Sequence, residues 1–479
     1  MRRNFVPILV ASLSLTSCLS GEGSSEFQVS EPAPSTQWIA SILSDRPFLE
    51  LTLDEKIQSF IETPNTIFAA NIAATMGQSG DTRWVAWLLD ILRLGFSSET
   101  TLAATRALQD LSSIAADGNL GSDFVTYGNW FRNNGFHPGA GYVEWKKAFL
   151  STIDAEYYAL LQGVKDANLL SKMQWGGVRR GGIPELNFPE HILAHQADFL
   201  TDNELVLGAV VGETPIAYPL RFVNHHEFVN DVVGEVPIAL GYCSLCKTGI
   251  LFQTGHNDNR LTFQTSGLLI DSNKIMVDNE TNSLWRHLQG EAITGPLKGT
   301  VLKTLPLVTT SWADWLAKHP HTLTLSIPEP TWFPDQPERM PIAYDYTPDS
   351  AYSSYYASED LWFPTVTPSA GLDPKEEIVG VNLDGDSLAI PVRYMEEEYP
   401  FALEFASRLL LVMPTKTGAR LYLAASTSDH PNIDFLDIEF WTEKAAQVRG
   451  FPTLHRITAN QMYWFAWYGM HPRTEIWEP

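Results

Sequence analysis

The sequence predicts an α+β protein in which an N-terminal α-helical domain precedes a tandemly duplicated β-rich domain. Three observations predict it. Apolar residues recur at three- and four-residue steps as far as about Gln162. Gly176, Gly177, Gly181, Gly182 and Pro184 then break that pattern, and short apolar and β-branched runs follow. Finally, two segments of this second part recur later in the chain in the same order. With 479 residues and 44% apolar content, the chain has material for a sizeable core and more than one domain. The expected divisions are 1–18, 19–37, 38–170, 171–345 and 346–479. The balance of 32 basic against 56 acidic residues, a net charge of -24, repels phosphate backbones and argues against nucleic-acid binding.

At the N-terminus, Arg2 and Arg3 precede a mostly apolar run, Phe5 to Leu15, that is too short to span a bilayer. Leu15-Thr16-Ser17-Cys18 follows and resembles a bacterial lipobox. That resemblance implies a signal peptide, diacylation of Cys18 and a bilayer anchor on an extracytoplasmic protein. Leu19 after the cysteine implies the outer membrane, facing the periplasm or the cell surface. Residues 19–37 are rich in Ser, Glu, Pro and Gly and read as a flexible tether.

The helical domain shows its clearest stripe at Trp84, Trp87, Leu88, Ile91 and Leu94, with Gly95 as C-terminal cap and Ser97 or Ser98 as the next N-cap. A second amphipathic helix runs through Leu102, Leu108 and Leu111. The pair is similar to a HEAT-type helical hairpin, with a weaker pair between Leu53 and Ala74. Tyr142 to Leu161 reads as one or two more helices.

In the β-rich part, strands are expected at Leu205 to Val211, Ile216 to Arg221, Val236 to Tyr242, Ile250 to Phe252 and Leu261 to Phe263. Helices are expected at His191 to Leu200 and Ser311 to His319. Val206 to Phe222 aligns without a gap onto Ile378 to Tyr394, matching Gly208 to Gly380, Pro219 to Pro391 and Arg221 to Arg393. The stretch from Trp315 through His319-Pro320 to Thr322 recurs from Trp467 through His471-Pro472 to Thr474. Because both copies hold them, His319 and His471 are assigned to structure.

Only the first copy carries a dense polar cluster, His225, His226, Glu227, Asn230 and Asp231, followed by Cys243-Ser-Leu-Cys246. The second copy has Phe401 to Gly418 there, without cysteine. Lys247-Thr248-Gly249 and the apolar Ile250-Leu251-Phe252 follow the second cysteine, leaving room for a turn but not for the helix of a thioredoxin-like site. Strand, CxxC turn and returning strand is the geometry of a metal knuckle, which needs further ligands from histidine or carboxylate. His226 is the first candidate, then His225 or Asp231. If Phe222 to Asp231 is helical, His226 and Asn230 share a face.

These residues predict a metal-binding protein for zinc or copper, with Cys243, Cys246 and His226 as ligands and Glu227, Asn230 and Asp231 orienting them. Two other readings stay open: a thiol–disulfide redox protein, and a non-catalytic binding or scaffold module whose disulfide staples a loop. Met276 and His287 could add ligands but read first as core.

Further motifs continue the series after Ala217-Tyr-Pro219, His226-Glu227, Asn230-Asp231 and Tyr242-Cys243-Ser-Leu-Cys246. They are Ser266-Gly267, Met276, Asp278, Thr281, Ser283-Leu-Trp285, Gly295-Pro-Leu297, Gly299 and Trp312 to Pro320. Together they closely resemble a prokaryotic family known as domain of unknown function 3179, over about Gly181 to Ser326. Ser244 and Lys247 depart from the family's pattern, which has proline between the cysteines and often glycine after them. The resemblance implies no activity, cofactor or protein partner.

Overall fold

The computed structural model describes residues 50–62, 68–95, 97–256, 259–330, 342–367, 371–395, 400–415, 417–424 and 454–479. The expected signal, Cys18 and the expected tether lie outside them. From Phe48 to Pro479 the chain forms one compact unit. Helices gather in its N-terminal part and strands in the remainder, so the class is α+β. Among the described residues no helix is long and apolar enough to cross a membrane.

Among the described residues eight α-helices open the unit: α1 (Leu53–Glu62), α2 (Ala69–Gln78), α3 (Val85–Leu94), α4 (Ser98–Ser112), α5 (Leu120–Asn133), α6 (Tyr142–Ser151), α7 (Glu156–Leu160) and α8 (Ala167–Lys172). Gly95 ends α3 at φ 53° and Ser97 caps α4 by accepting from the Thr100 N–H, so both end signals act as their residue types suggest. The expected stripe on α3 is more than a stripe, because Val85 to Leu92 is buried on every side. The α2 and α4 backbones approach closely at Gly77, where an added Cβ would lie 2.6 Å from Ala107 Cβ. The helices then seat on the β-rich part. Arg132 Nε donates to Asp271 at 2.7 Å, Arg93 Nε to the Trp175 carbonyl at 2.9 Å, and Tyr157 OH to the Ser266 carbonyl at 2.9 Å.

The strands form five sheets of four or five strands, plus a two-stranded ribbon, among the described residues. In the first half the hairpin β1 (Leu205–Val211) and β2 (Thr214–Pro219) is flanked by β9 (Leu307–Ser311), antiparallel to β1, and by Leu323–Leu325, parallel to β2. A second sheet holds β3 (Phe228–Val233), β4 (Val236–Cys243) and β5 (Thr248–Gln253). Leu207, Ile216 and Tyr218 of the first sheet pack on Val229, Ile238, Leu240 and Leu251 of the second. A third sheet has β6 (Phe263–Ile270), β7 (Asn273–Asp278) and β8 (Leu284–Arg286) at its centre.

The two sheets of the second half follow the strand order of the first two, each one strand shorter among the described residues. β10 (Glu377–Leu383) and β11 (Asp386–Pro391) pair as β1 and β2 do: Val206 faces Pro219 and Ile378 faces Pro391, while Gly208 faces Ala217 and Gly380 faces Ala389. Asn460–Tyr463 takes the place of β9, and Glu475–Ile476 adds in parallel to β11. β12 (Phe401–Phe405), β13 (Arg408–Thr415) and β14 (Gly418–Ala424) follow the order of β3 to β5. Val379, Leu388 and Ile390 pack on Leu410, Val412 and Leu421.

The Trp motifs explain the conformations they flank. An added Cβ at Gly208 would sit 2.4 Å from the Trp315 ring, and one at Gly380 would sit 2.4 Å from the Trp467 ring. Each indole donates to a threonine, Trp315 to Thr322 and Trp467 to Thr474, both at 2.9 Å. His319 and His471 lie against those indoles, with ring centroids 4.1 and 4.3 Å away. The helix expected at His191 to Leu200 is instead a strand, His191–Leu193, followed by a short 3-10 turn. Pairing with Leu323–Leu325 outweighs helix propensity there.

Candidate functional site

β4 and β5 are joined by the turn Ser244 to Lys247, which carries the second cysteine. The Cys246 N–H donates to the Cys243 carbonyl at 3.1 Å, closing the turn. Lys247 sits at φ 53°, a conformation glycine adopts most readily, yet its ammonium pairs with Glu377 of the second half. The two thiols are free, 2.7 Å apart and buried, with Cys243 1% and Cys246 0% exposed.

Cys243 lines a cavity of about 110 Å³ together with Glu227, Thr265, Lys274, Tyr352 and Trp362. Lys274 Nζ pairs with Glu227 Oε2 at 2.5 Å and donates to the Tyr242 carbonyl at 2.6 Å. Thr265 Oγ1 donates to the same Glu227 oxygen at 2.5 Å. Burial opposes ionisation of Cys243, but the Cys246 thiol, the Lys274 ammonium and the N–H groups of Lys274 and Cys246 together hold its pKa below the ordinary thiol value. Burial and the adjacent Cys243 sulfur push Cys246 well above it. The pair is thus polarised, with an ionisable sulfur on the cavity wall and a neutral one behind it.

The polar cluster is divided by a change of direction. A helix, α9 (Leu220–His226), ends at Glu227 in the left-handed region, φ 61°, and β3 begins at the next residue. His226 and Asn230 therefore share no helical face, which corrects that expectation. His226 Nδ1 lies 2.7 Å from the Pro184 carbonyl and Nε2 2.5 Å from Tyr346 OH, so both ring nitrogens have partners away from the thiols. Burial pushes its pKa down to about 4. His225 lies 3.3 Å from Ser350 Oγ. Asn230 staples two strands, accepting from the Phe263 N–H at 2.8 Å and donating to the Phe263 carbonyl at 2.9 Å. Asp231 accepts from Tyr218 OH at 2.9 Å and lies 2.8 Å from His191 Nε2.

Of the expected ligand set, then, the structure joins only Cys243 and Cys246, and of the expected orienting residues only Glu227 shares the cavity wall with Cys243, where it holds Lys274. Among the described residues, no group of three or more His, Cys, Asp or Glu side chains could hold a metal ion. A cation at the sulfurs would also meet the Lys274 ammonium. Met276 and His287 are core, His287 held by the Gly241 carbonyl at 2.9 Å and pushed down to about 3 by burial. The Met276 to Trp285 motif is a folding element. Asp278 accepts from the N–H of Thr281 at 2.5 Å, of Ser283 at 3.2 Å and of the Trp285 indole at 2.8 Å.

Sequence reasoning missed Lys274, Thr265 and Tyr352. One signal was available for the first: a lysine inside Asn273–Asp278, a strand whose six residues are all buried. Buried lysine is rare without a partner.

A family model described as "Protein of unknown function (DUF3179)" matches residues 180–474, more than half of the chain. No curated protein matches the chain, and no solved structure does. The chain belongs to the DUF3179 family.

Proposed function

We propose that this member of the DUF3179 family is a dithiol redox protein in which Cys243 reacts and Cys246 completes a reversible disulfide. The observation that carries the reading is the polarised pair on a cavity wall: two sulfurs 2.7 Å apart, the outer one beside Lys274. A lowered pKa raises the thiolate fraction of Cys243, and a neutral partner holds its proton until the second step. Two-electron oxidation joins the sulfurs, releases the Cys246 proton and passes both electrons to the oxidant. Glu227 anchors Lys274, and its strained backbone suits a position kept for function.

The zinc or copper reading lacks its histidine here, and the staple reading gives no role to a lysine buried beside the thiols. The test is a redox titration of the purified chain with elemental analysis on the same sample. A reversible two-electron couple above about −300 mV, with no bound metal, supports the proposal. One equivalent of zinc or copper, or a couple as reducing as an inert structural disulfide, sinks it.

The wider reading is of an extracytoplasmic lipoprotein anchored at Cys18, with HEAT-like helices before a duplicated domain. The matched strand order, register and Trp–Thr bonds of the two halves support the duplication. The β13–β14 turn, at the place of the cysteine turn, is two residues shorter. Thr415 pairs with Gly418 where Cys243 pairs with Thr248.

A further inference from the structure

We infer that the oxidant served by the Cys243 site is a low-molecular-weight hydroperoxide rather than a protein or peptide disulfide. The inference rests on the dithiol reading and adds the substrate class. Size comes first. Cys243 is 1% exposed, and the cavity it lines holds about 110 Å³. That is room for a few water-sized molecules. Trp362, 43% exposed, stands on the cavity wall where it meets solvent. A folded protein or a glutathione-sized disulfide is larger than that space.

Chemistry comes second. Attack on an O–O bond needs a thiolate, a donor that stabilises the departing oxygen, and a second thiol close enough to finish the reaction. Cys243, Lys274 and Cys246 supply these. Lys274 lines the cavity, with its ammonium held by Glu227 and the Tyr242 carbonyl and 4.8 Å from the Phe228 ring centroid.

The steps balance as follows. The Cys243 thiolate attacks one peroxide oxygen and the O–O bond breaks. The leaving alkoxide, or hydroxide from hydrogen peroxide, takes a proton from Lys274, which solvent restores. Cys243 is then a sulfenic acid. Cys246 displaces its hydroxyl group, which leaves as water with the Cys246 proton, and the S–S bond forms. The hydroperoxide gains two electrons and the thiols lose two. Because the sulfurs already lie 2.7 Å apart, the second step needs no large rearrangement.

The experiment uses the reduced full-length chain and follows Cys243–Cys246 disulfide formation by acid quench and mass spectrometry. The oxidants are hydrogen peroxide, cumene hydroperoxide and oxidised glutathione. Hydrogen peroxide should react about 100-fold faster than it does with free cysteine at the same pH, a gain of the size preorganised donors give. Oxidised glutathione should show no such gain. Trp362→Ala should speed cumene hydroperoxide more than hydrogen peroxide, by widening the mouth without touching the thiols. A faster reaction with oxidised glutathione than with hydrogen peroxide overturns the hydroperoxide inference and leaves the dithiol reading standing. Failure of every oxidant to form the disulfide overturns both.

Discussion

Replacing Lys274 by Met removes a cation from beside Cys243, so the thiol pKa should rise. The midpoint of iodoacetamide alkylation against pH should move upward with it, and an unmoved midpoint would dismiss the role given to this lysine. The same substitution strands the buried Glu227 carboxylate and should cost about 3–5 kcal/mol, measured by denaturant unfolding. His287 carries a separate pH effect. Burial pushes its pKa from 6.5 down to about 3, so between those values the unfolded chain binds a proton that the folded chain refuses. Stability should therefore fall as pH drops below 6.5, by roughly 1.4 kcal/mol per pH unit for this group, and His287→Gln should flatten the slope. At this scale the sequence showed the cysteines and Glu227, whose residue types announce chemistry. It did not show Lys274 or Thr265, because a contact across a sheet leaves no local spacing to read. His226 misled for a related reason: one left-handed residue, Glu227, sends the chain off in a new direction and parts neighbours in sequence.

Among the elements, β1 and β10 each keep a glycine where a tryptophan ring lies on the strand. Gly208→Ala and Gly380→Ala should each lower stability by about 1–3 kcal/mol through overpacking, with thermal unfolding as the measure. A large cost at only one of the two would show that the halves are packed differently. These elements were the most legible part of the chain. Strand alternation placed β1, β4 and β5 within a residue or two, and the gapless match of Val206 to Phe222 with Ile378 to Tyr394 anticipated the common register. What stayed hidden was sheet membership. Periodicity marks a strand but does not say that Lys303–Leu305 pairs with β5 while β9, two residues later, pairs with β1.

Across the whole molecule the second half bears directly on the cysteine turn. The Tyr463 N–H donates to the Cys246 carbonyl at 2.9 Å, Tyr355 OH donates to the Leu245 carbonyl at 3.0 Å, and Glu377 holds Lys247. Oxidation of the pair should therefore alter amide hydrogen exchange at Tyr463, far along the chain, while leaving Tyr422 of β14 unchanged. Equal exchange at Tyr463 in both redox states would mean that the second half only covers the turn. Net charge and composition gave none of this, because they constrain partners and compartment rather than contacts.

The cavity wall is assembled from Gly176 and Val178, from Glu227 to Ile275, and from Tyr352 to Phe363. Its last pieces are thus synthesised well after both cysteines. A nascent or prematurely terminated chain ending before Tyr352 carries the complete CxxC turn without its enclosure. Such a chain presents its two thiols without the wall that Tyr352, Trp362 and Phe363 supply. The order of synthesis therefore completes the cavity around Cys243 only after Tyr352, Trp362 and Phe363 have been made.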